Sequence, residues 1–152
     1  MGRRLVIGIG NQTRGDDAVG RAVARLLAGT MPVGVEVLDL EGEATAILDR
    51  LGTAESAILI DASFSGAAPG SVRRFDVAAA PLPRSGFATS THGFGLVEAI
   101  ELARSLGQLP EQCIVFAIEG ASYETGEAMT PAVEEAARRV AREVRDEMTA
   151  AK

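Results

Sequence analysis

Several features common in enzymes are missing from this chain. It has one cysteine, Cys113, so no internal disulfide can form and a reducing compartment is permitted. Cys113 lies in the apolar run CIVFAIEG, which favours burial within a strand over a nucleophilic role. It has one histidine, His92, so no paired-histidine metal motif such as H-E-x-x-H exists, and no Ser-His-Asp or Cys-His pattern is legible. Basic residues are outnumbered: the formal net charge is -6, which argues against general binding to nucleic acid or anionic membranes. No apolar run is long enough for a membrane span, and the run after the two arginines of MGRRLVIGIGNQ is too short for a signal peptide. Internal repeats, low-complexity tracts and linkers are also absent. These absences lead to the expectation of one cytoplasmic domain over residues 1–152. A monomer is expected, since no long exposed apolar stripe asks for a partner.

What is present alternates between strand and helix signals. Residues 4–10 (RLVIGIG), 35–40 (VEVLDL), 56–63 (SAILIDAS) and 113–120 (CIVFAIEG) read as strands, most of them apolar enough to be covered on both faces. Residues 70–77 (GSVRRFDV) alternate and carry Arg73 and Arg74, the pattern of an edge strand blunted by charge. Helices are expected through Val19, Val23, Leu26 and Leu27 with Gly29 as cap, over 43–52, over 94–107, and over 130–148 with Thr130 as N-cap and Pro131 at the first helical position. The last helix carries an apolar stripe of Val133, Ala137, Val140, Val144 and Met148. Residues 78–91 have no regular period and form a long loop of the kind that is usually functional. This order predicts an α/β fold with a mostly parallel sheet and helices on both faces, whose ligands bind beyond the carboxyl ends of the strands.

Reactive residues collect at those ends. The first strand runs through Gly8, Gly10 and Asn11 to Asp16 and Asp17; the third ends at Asp61; the last ends at Glu119 and Gly120; His92 closes the long loop. Asp16 is placed to cap the helix and Asp17 to face the crevice, although both could simply be acids favoured by the helix dipole. Asp61 could be a turn residue, and His92 a helix-start residue. Two carboxylates and an imidazole converging on one crevice would instead make a divalent-metal site with open positions. A dinucleotide site competes: GIGNQT resembles the opening of G-x-G-x-x-G, and Asp39 ends the second strand where a ribose-binding acid would lie. Thr13 replaces the third glycine, however, and Asp16 and Asp17 would set negative charge where pyrophosphate should sit.

The motifs VIGIGNQTRGDDAVG, LDLEGEAT, ILIDAS, STHGFGL and IEGASYETGEAMTPAV, in this order, resemble the [NiFe] hydrogenase maturation endopeptidases over nearly the whole chain. The resemblance implies a three-layer α/β/α sandwich around a five-stranded, mostly parallel sheet with one antiparallel strand. It implies an endopeptidase that removes the C-terminal extension of the hydrogenase large-subunit precursor once nickel has been inserted. The nickel would arrive with the substrate, and the family's metal-binding residues fall on Asp17, Asp61 and His92. Cleavage would use water activated by the metal, or by an unbound carboxylate such as Asp16. Glu41 departs from the pattern, since relatives commonly have glycine there. A non-catalytic relative that only binds a metallocentre is the remaining alternative.

Overall fold

The apolar strands stack into one five-stranded sheet in the order β2-β1-β3-β5-β4. They are β1 (Arg3–Ile9), β2 (Val35–Leu40), β3 (Ala54–Ser63), β4 (Val72–Asp76) and β5 (Gln112–Glu119). A computed structural model describes residues 2–83 and 95–150. Strands β1, β2, β3 and β5 are parallel, while β4 runs antiparallel to β5. The charged strand is therefore the odd one, at an edge, as its alternation implies.

Because successive residues of a strand face opposite ways, each central strand feeds two cores. Leu5, Ile7 and Ile9 of β1 pack with Ala57 and Leu59 of β3 against α2 (Ala44–Leu51) and α3 (Leu96–Ser105). Val6, Ile58, Ile60, Phe116 and Ile118 pack against α1 (Val19–Leu27) and α4 (Pro131–Ala150). This is the three-layer sandwich. The whole expected stripe of α4 is buried, from Val133 to Met148. Val19, Val23 and Leu27 of α1 are likewise buried, but Leu26 is exposed at 44 %, so the stripe is narrower than the sequence suggests. Cys113 is buried, and burial above all pushes its thiol up to about 12, which leaves no thiolate for nucleophilic attack. No helix among the described residues is long and apolar enough to cross a membrane.

The glycines of the first motif serve packing. A Cβ on Gly8 would lie 2.1 Å from the carbonyl oxygen of Gly20, and one on Gly20 would lie 2.2 Å from that of Ile60 and 2.3 Å from that of Ile9. Helix α1 thus rests backbone to backbone on β1 and β3. Gly20→Ala would favour an isolated helix, yet here the added methyl must displace main chain. The variant is expected to lose about 3 kcal/mol in urea denaturation; a gain in stability would show that the contact relaxes freely.

Candidate active site

Four acids stand at the carboxyl edge of the sheet, and their partners divide them into two pairs. Asp16 and Asp17 fall in a single 3-10 turn, Gly15–Ala18, which leads into α1. The sharp exit from β1 depends on Gly10, whose Cβ would lie 1.9 Å from the Asp17 carbonyl oxygen. Asn11 closes the preceding bend, its Oδ1 accepting from the Thr13 N–H at 2.9 Å and from the Thr13 hydroxyl at 2.8 Å.

Asp16 does not cap α1, contrary to expectation, and no side chain caps that turn. Its carboxylate is fully buried and faces the β5–α4 loop. There it accepts from the Ala121 N–H at 2.8 Å, the Ser122 N–H at 3.0 Å, the Thr130 N–H at 2.6 Å and the Thr130 hydroxyl at 2.7 Å. The Asp16 N–H donates back to the Ser122 carbonyl at 2.7 Å. Thr130 accordingly spends its hydroxyl proton on Asp16 at the start of α4. Burial alone would raise the Asp16 pKa, but the bonds from Thr130, Ala121 and Ser122 outweigh it and hold the carboxyl below its ordinary value. Further bonds fasten the same two segments: the Gly126 N–H donates to the Thr13 carbonyl at 2.7 Å, and Arg14 Nε to the Tyr123 carbonyl at 3.2 Å.

Glu119 does matching work for the β3–β4 loop. It is 2 % exposed and accepts from the Ser63 hydroxyl, from the Ser65 N–H and hydroxyl, and from the Gly66 N–H, at 2.7 to 3.1 Å. Burial raises its pKa, and those bonds, led by Ser65, more than reverse the shift. The sequence marks Glu119 as a strand-end acid without assigning its role. The serines at 63 and 65, opposite it across β3, are the signal for a clamp.

Among the described residues, Asp17 and Asp61 are the pair with fewest partners. Asp17 accepts one long bond, 3.3 Å, from the Asn11 N–H. Burial raises its pKa, with Asn11 and the Arg14 charge only partly opposing. Asp61 is 6 % exposed and accepts from the adjacent Ala62 N–H at 2.8 Å. Its carboxyl is pushed well above the ordinary value by burial, and after that by the negative charge of Asp17. The fold therefore sets the Asp17 charge against ionisation of Asp61, with a single backbone donor for each among the described residues. Oxygen donors held this way suit a divalent cation. Among the described residues, no group of three His, Cys, Asp or Glu side chains is gathered to hold a metal by itself.

His92 lies outside the described residues. The chain returns at Gly95, directly before α3, and α3 belongs to the layer on the same side of the sheet as Asp61, since Asp61 alternates with Ile60 and Ala62, which pack toward α1 and α4. The dinucleotide reading finds less support. Gly8 is filled by the approach of α1, and Asp39 is engaged by Arg21 at 3.4 Å.

A family model described as HycI, hydrogenase maturation protease, matches residues 21–147. The chain belongs to the hydrogenase maturation protease family. Asp61 and His92 fall within the matched residues, and Asp17 lies just before them. The hydrogenase expression/formation protein HupD of Thiocapsa roseopersicina is 30 % identical over 134 residues, which are 86 % of this chain. The chain spans 61 % of HupD's own length. Among solved structures, the hydrogenase maturating endopeptidase HybD from E. coli superposes with a TM-score of 0.75 at 26 % identity, covering 93 % of this chain and 89 % of that one. The [NiFe] hydrogenase maturation protease HycI from Thermococcus kodakarensis KOD1 superposes with a TM-score of 0.76 at 25 % identity, covering 97 % and 92 %.

Proposed function

We propose that this family member is the endopeptidase that removes the C-terminal extension of a [NiFe] hydrogenase large-subunit precursor, and that it reads the nickel already inserted there. The observation that carries this reading is the placement of Asp17, in the turn after β1, and Asp61, near the end of β3, at the carboxyl edge of the sheet, each with one hydrogen-bond donor among the described residues and with the Asp17 charge opposing ionisation of Asp61. A cation delivered with the substrate would relieve that repulsion, so nickel-loaded precursor gains affinity that the nickel-free form lacks. Asp17 and Asp61 supply carboxylate oxygens, and His92 supplies an imidazole nitrogen from the segment before α3. Nickel(II) accepts both donor types. The ion would polarise the scissile carbonyl and lower the pKa of water at the same centre.

Asp16 is left out of the chemistry. Its oxygens are filled by four donors, and its lowered pKa makes it a weak base. We place the reaction in the cytoplasm, a reducing compartment that the lone buried cysteine permits, and assign it to a monomer because the sequence carries no long apolar stripe that asks for a partner.

The test is mass spectrometry of precursor incubated with the purified protein. Nickel-loaded precursor is expected to lose its C-terminal extension while nickel-free precursor stays intact. His92→Ala is expected to stop processing with the unfolding midpoint unchanged. Equal cutting of both precursors would remove nickel from recognition. Binding of loaded precursor without shortening would leave a non-catalytic metallocentre-binding relative.

A further inference from the structure

Tyr123 is the one tyrosine of the chain, and it stands 49 % exposed in the β5–α4 loop. A single exposed aromatic side chain is ordinary, but this one is held on several sides. Its ring packs on that of Phe64, with the centroids 4.5 Å apart and the planes tilted by 58°. The Arg14 guanidinium carbon lies 5.7 Å from the Tyr123 ring centroid, and Arg14 Nε donates to the Tyr123 carbonyl. The preceding residue, Ser122, is tied to Asp16 through both its N–H and its carbonyl. Phe64 in turn lies against Gly120, where a Cβ would come within 2.6 Å of the Phe64 ring, and it packs on the core beneath α1 and α4. An exposed tyrosine whose ring and backbone are both fixed loses little entropy when it is covered, which is why tyrosine serves so often as an anchor in recognition surfaces.

Three chain segments build this surface, and the same three border the candidate site. Arg14 and Asp17 share the turn after β1, where the Asp17 N–H donates to the Arg14 carbonyl at 3.0 Å. Phe64 follows the last residue of β3 and comes three residues after Asp61, about 10 Å along extended chain. Tyr123 belongs to the loop that Asp16 fastens to the first turn. The aromatic pair therefore continues the carboxyl edge on which Asp17 and Asp61 stand. A peptide held at those two carboxylates reaches Phe64 and Tyr123 within about four residues.

Resting on the endopeptidase reading, we infer that Tyr123, seated on Phe64 and continuous with the Asp17–Asp61 site, is a substrate-binding residue whose ring covers an apolar side chain of the precursor within about four residues of the cleaved bond. An apolar side chain suits the place because the exposed ring offers aromatic carbon. The exposed Glu124 and Glu127 of the same loop disfavour an acidic side chain there, and Arg14, at the Tyr123 ring, disfavours a basic one.

The test is steady-state cleavage of nickel-loaded precursor by the wild-type protein, Tyr123→Phe and Tyr123→Ser. Phenylalanine keeps the ring and serine removes it. Tyr123→Phe is expected to keep KM within about twofold, and Tyr123→Ser to raise it about tenfold, as the loss of one anchoring ring does. The kcat of both should stay within about twofold. Precursors in which single apolar residues near the cleaved bond are changed to alanine complete a double-mutant cycle. One of them should raise KM with the wild-type protein and add little with Tyr123→Ser. A ring that only braces the loop would lower the unfolding midpoint and leave every precursor change with the same effect in both proteins. Unchanged KM in Tyr123→Ser overturns the inference, as does a lower kcat at unchanged KM, a KM rise that Tyr123→Phe shares in full, or a cycle in which every precursor change adds in full. If the wild-type protein does not cut the precursor at all, the endopeptidase reading fails instead. Fluorescence anisotropy with labelled nickel-loaded precursor then decides for Tyr123: weaker binding by Tyr123→Ser supports the contact, and equal binding, or binding by neither protein, removes it.

Discussion

Asp61→Asn is expected to make the metal-free protein more stable while cutting precursor processing by on the order of 100-fold or more. Both effects follow from the same carboxylate. Asp61 is almost fully buried, feels the charge of Asp17, and has one backbone donor among the described residues. Asparagine has nearly the same shape and keeps an oxygen for the Ala62 N–H, so no cavity results, and its new amide N–H groups have the Asp17 carboxylate to turn toward. What disappears is a buried negative charge and its repulsion with Asp17, for a gain of about 1 kcal/mol at neutral pH. The pH dependence has a definite sign. Below 3.8, the ordinary value, the carboxyl is protonated whether the chain is folded or unfolded, and it makes no difference to stability. As pH rises from 3.8 through the raised folded value, the unfolded chain gives up its proton more readily, and wild-type stability falls. The advantage of Asp61→Asn should therefore be absent at low pH and full above the folded value. Urea denaturation across pH, paired with the cleavage assay, checks it. A variant that is both less stable and inactive would mean that Asp61 is a structural acid like Asp16.

Asp16→Ala is expected to act in the opposite way, with a loss of about 4 kcal/mol or more and a loss of activity that follows the unfolded fraction. The substitution strands the N–H groups of Ala121, Ser122 and Thr130 and the hydroxyl of Thr130 in a buried place. Each stranded donor costs about 1–3 kcal/mol, partly recovered where water enters. Asp16→Asn should fall between, because one acceptor oxygen survives while the new amide turns its own donors toward N–H groups. Asp16 has a lowered folded pKa, so its stabilisation is present above 3.8 and lost as pH falls through that folded value. Acid should thus loosen the β1–α1 turn from the β5–α4 loop, and in the variant this should occur at neutral pH. Hydrogen exchange at Ala121, Ser122 and Thr130 would report the change. Unchanged protection in Asp16→Ala would show that the loop is held by other contacts.

The contrast between these two aspartates also marks how far the sequence could be read. Continuous apolar runs such as ILI and IVFAI identified strands covered on both faces, and the arginines of GSVRRFDV identified the edge. Both signals are local, because burial on two faces leaves its mark on every residue of a strand. The partner of an acid is not local. Asp16 and Asp17 are adjacent, and both suit a helix start, yet one side chain meets donors from residues 121–130 while the charge of the other acts on Asp61. That division depends on the loop after β5 folding back over the first turn. Gly15 permits this approach, since a Cβ there would lie 2.8 Å from the Ser122 carbonyl oxygen. The glycines misled in a related way: a G-x-G after a strand suggests phosphate, but here Gly8 and Gly20 let a helix touch the sheet. Asp39 suited a ribose by position alone, and the structure pairs it with Arg21.

The central claim is that Asp17 and Asp61 face a cation, and it is tested most directly by crystals of the protein soaked in cadmium as a probe for the substrate's nickel. Anomalous scattering is expected from an ion bound by a carboxylate oxygen of each residue, with the His92 imidazole among its ligands. Cadmium bound only elsewhere, with both carboxylates free of metal, would contradict it.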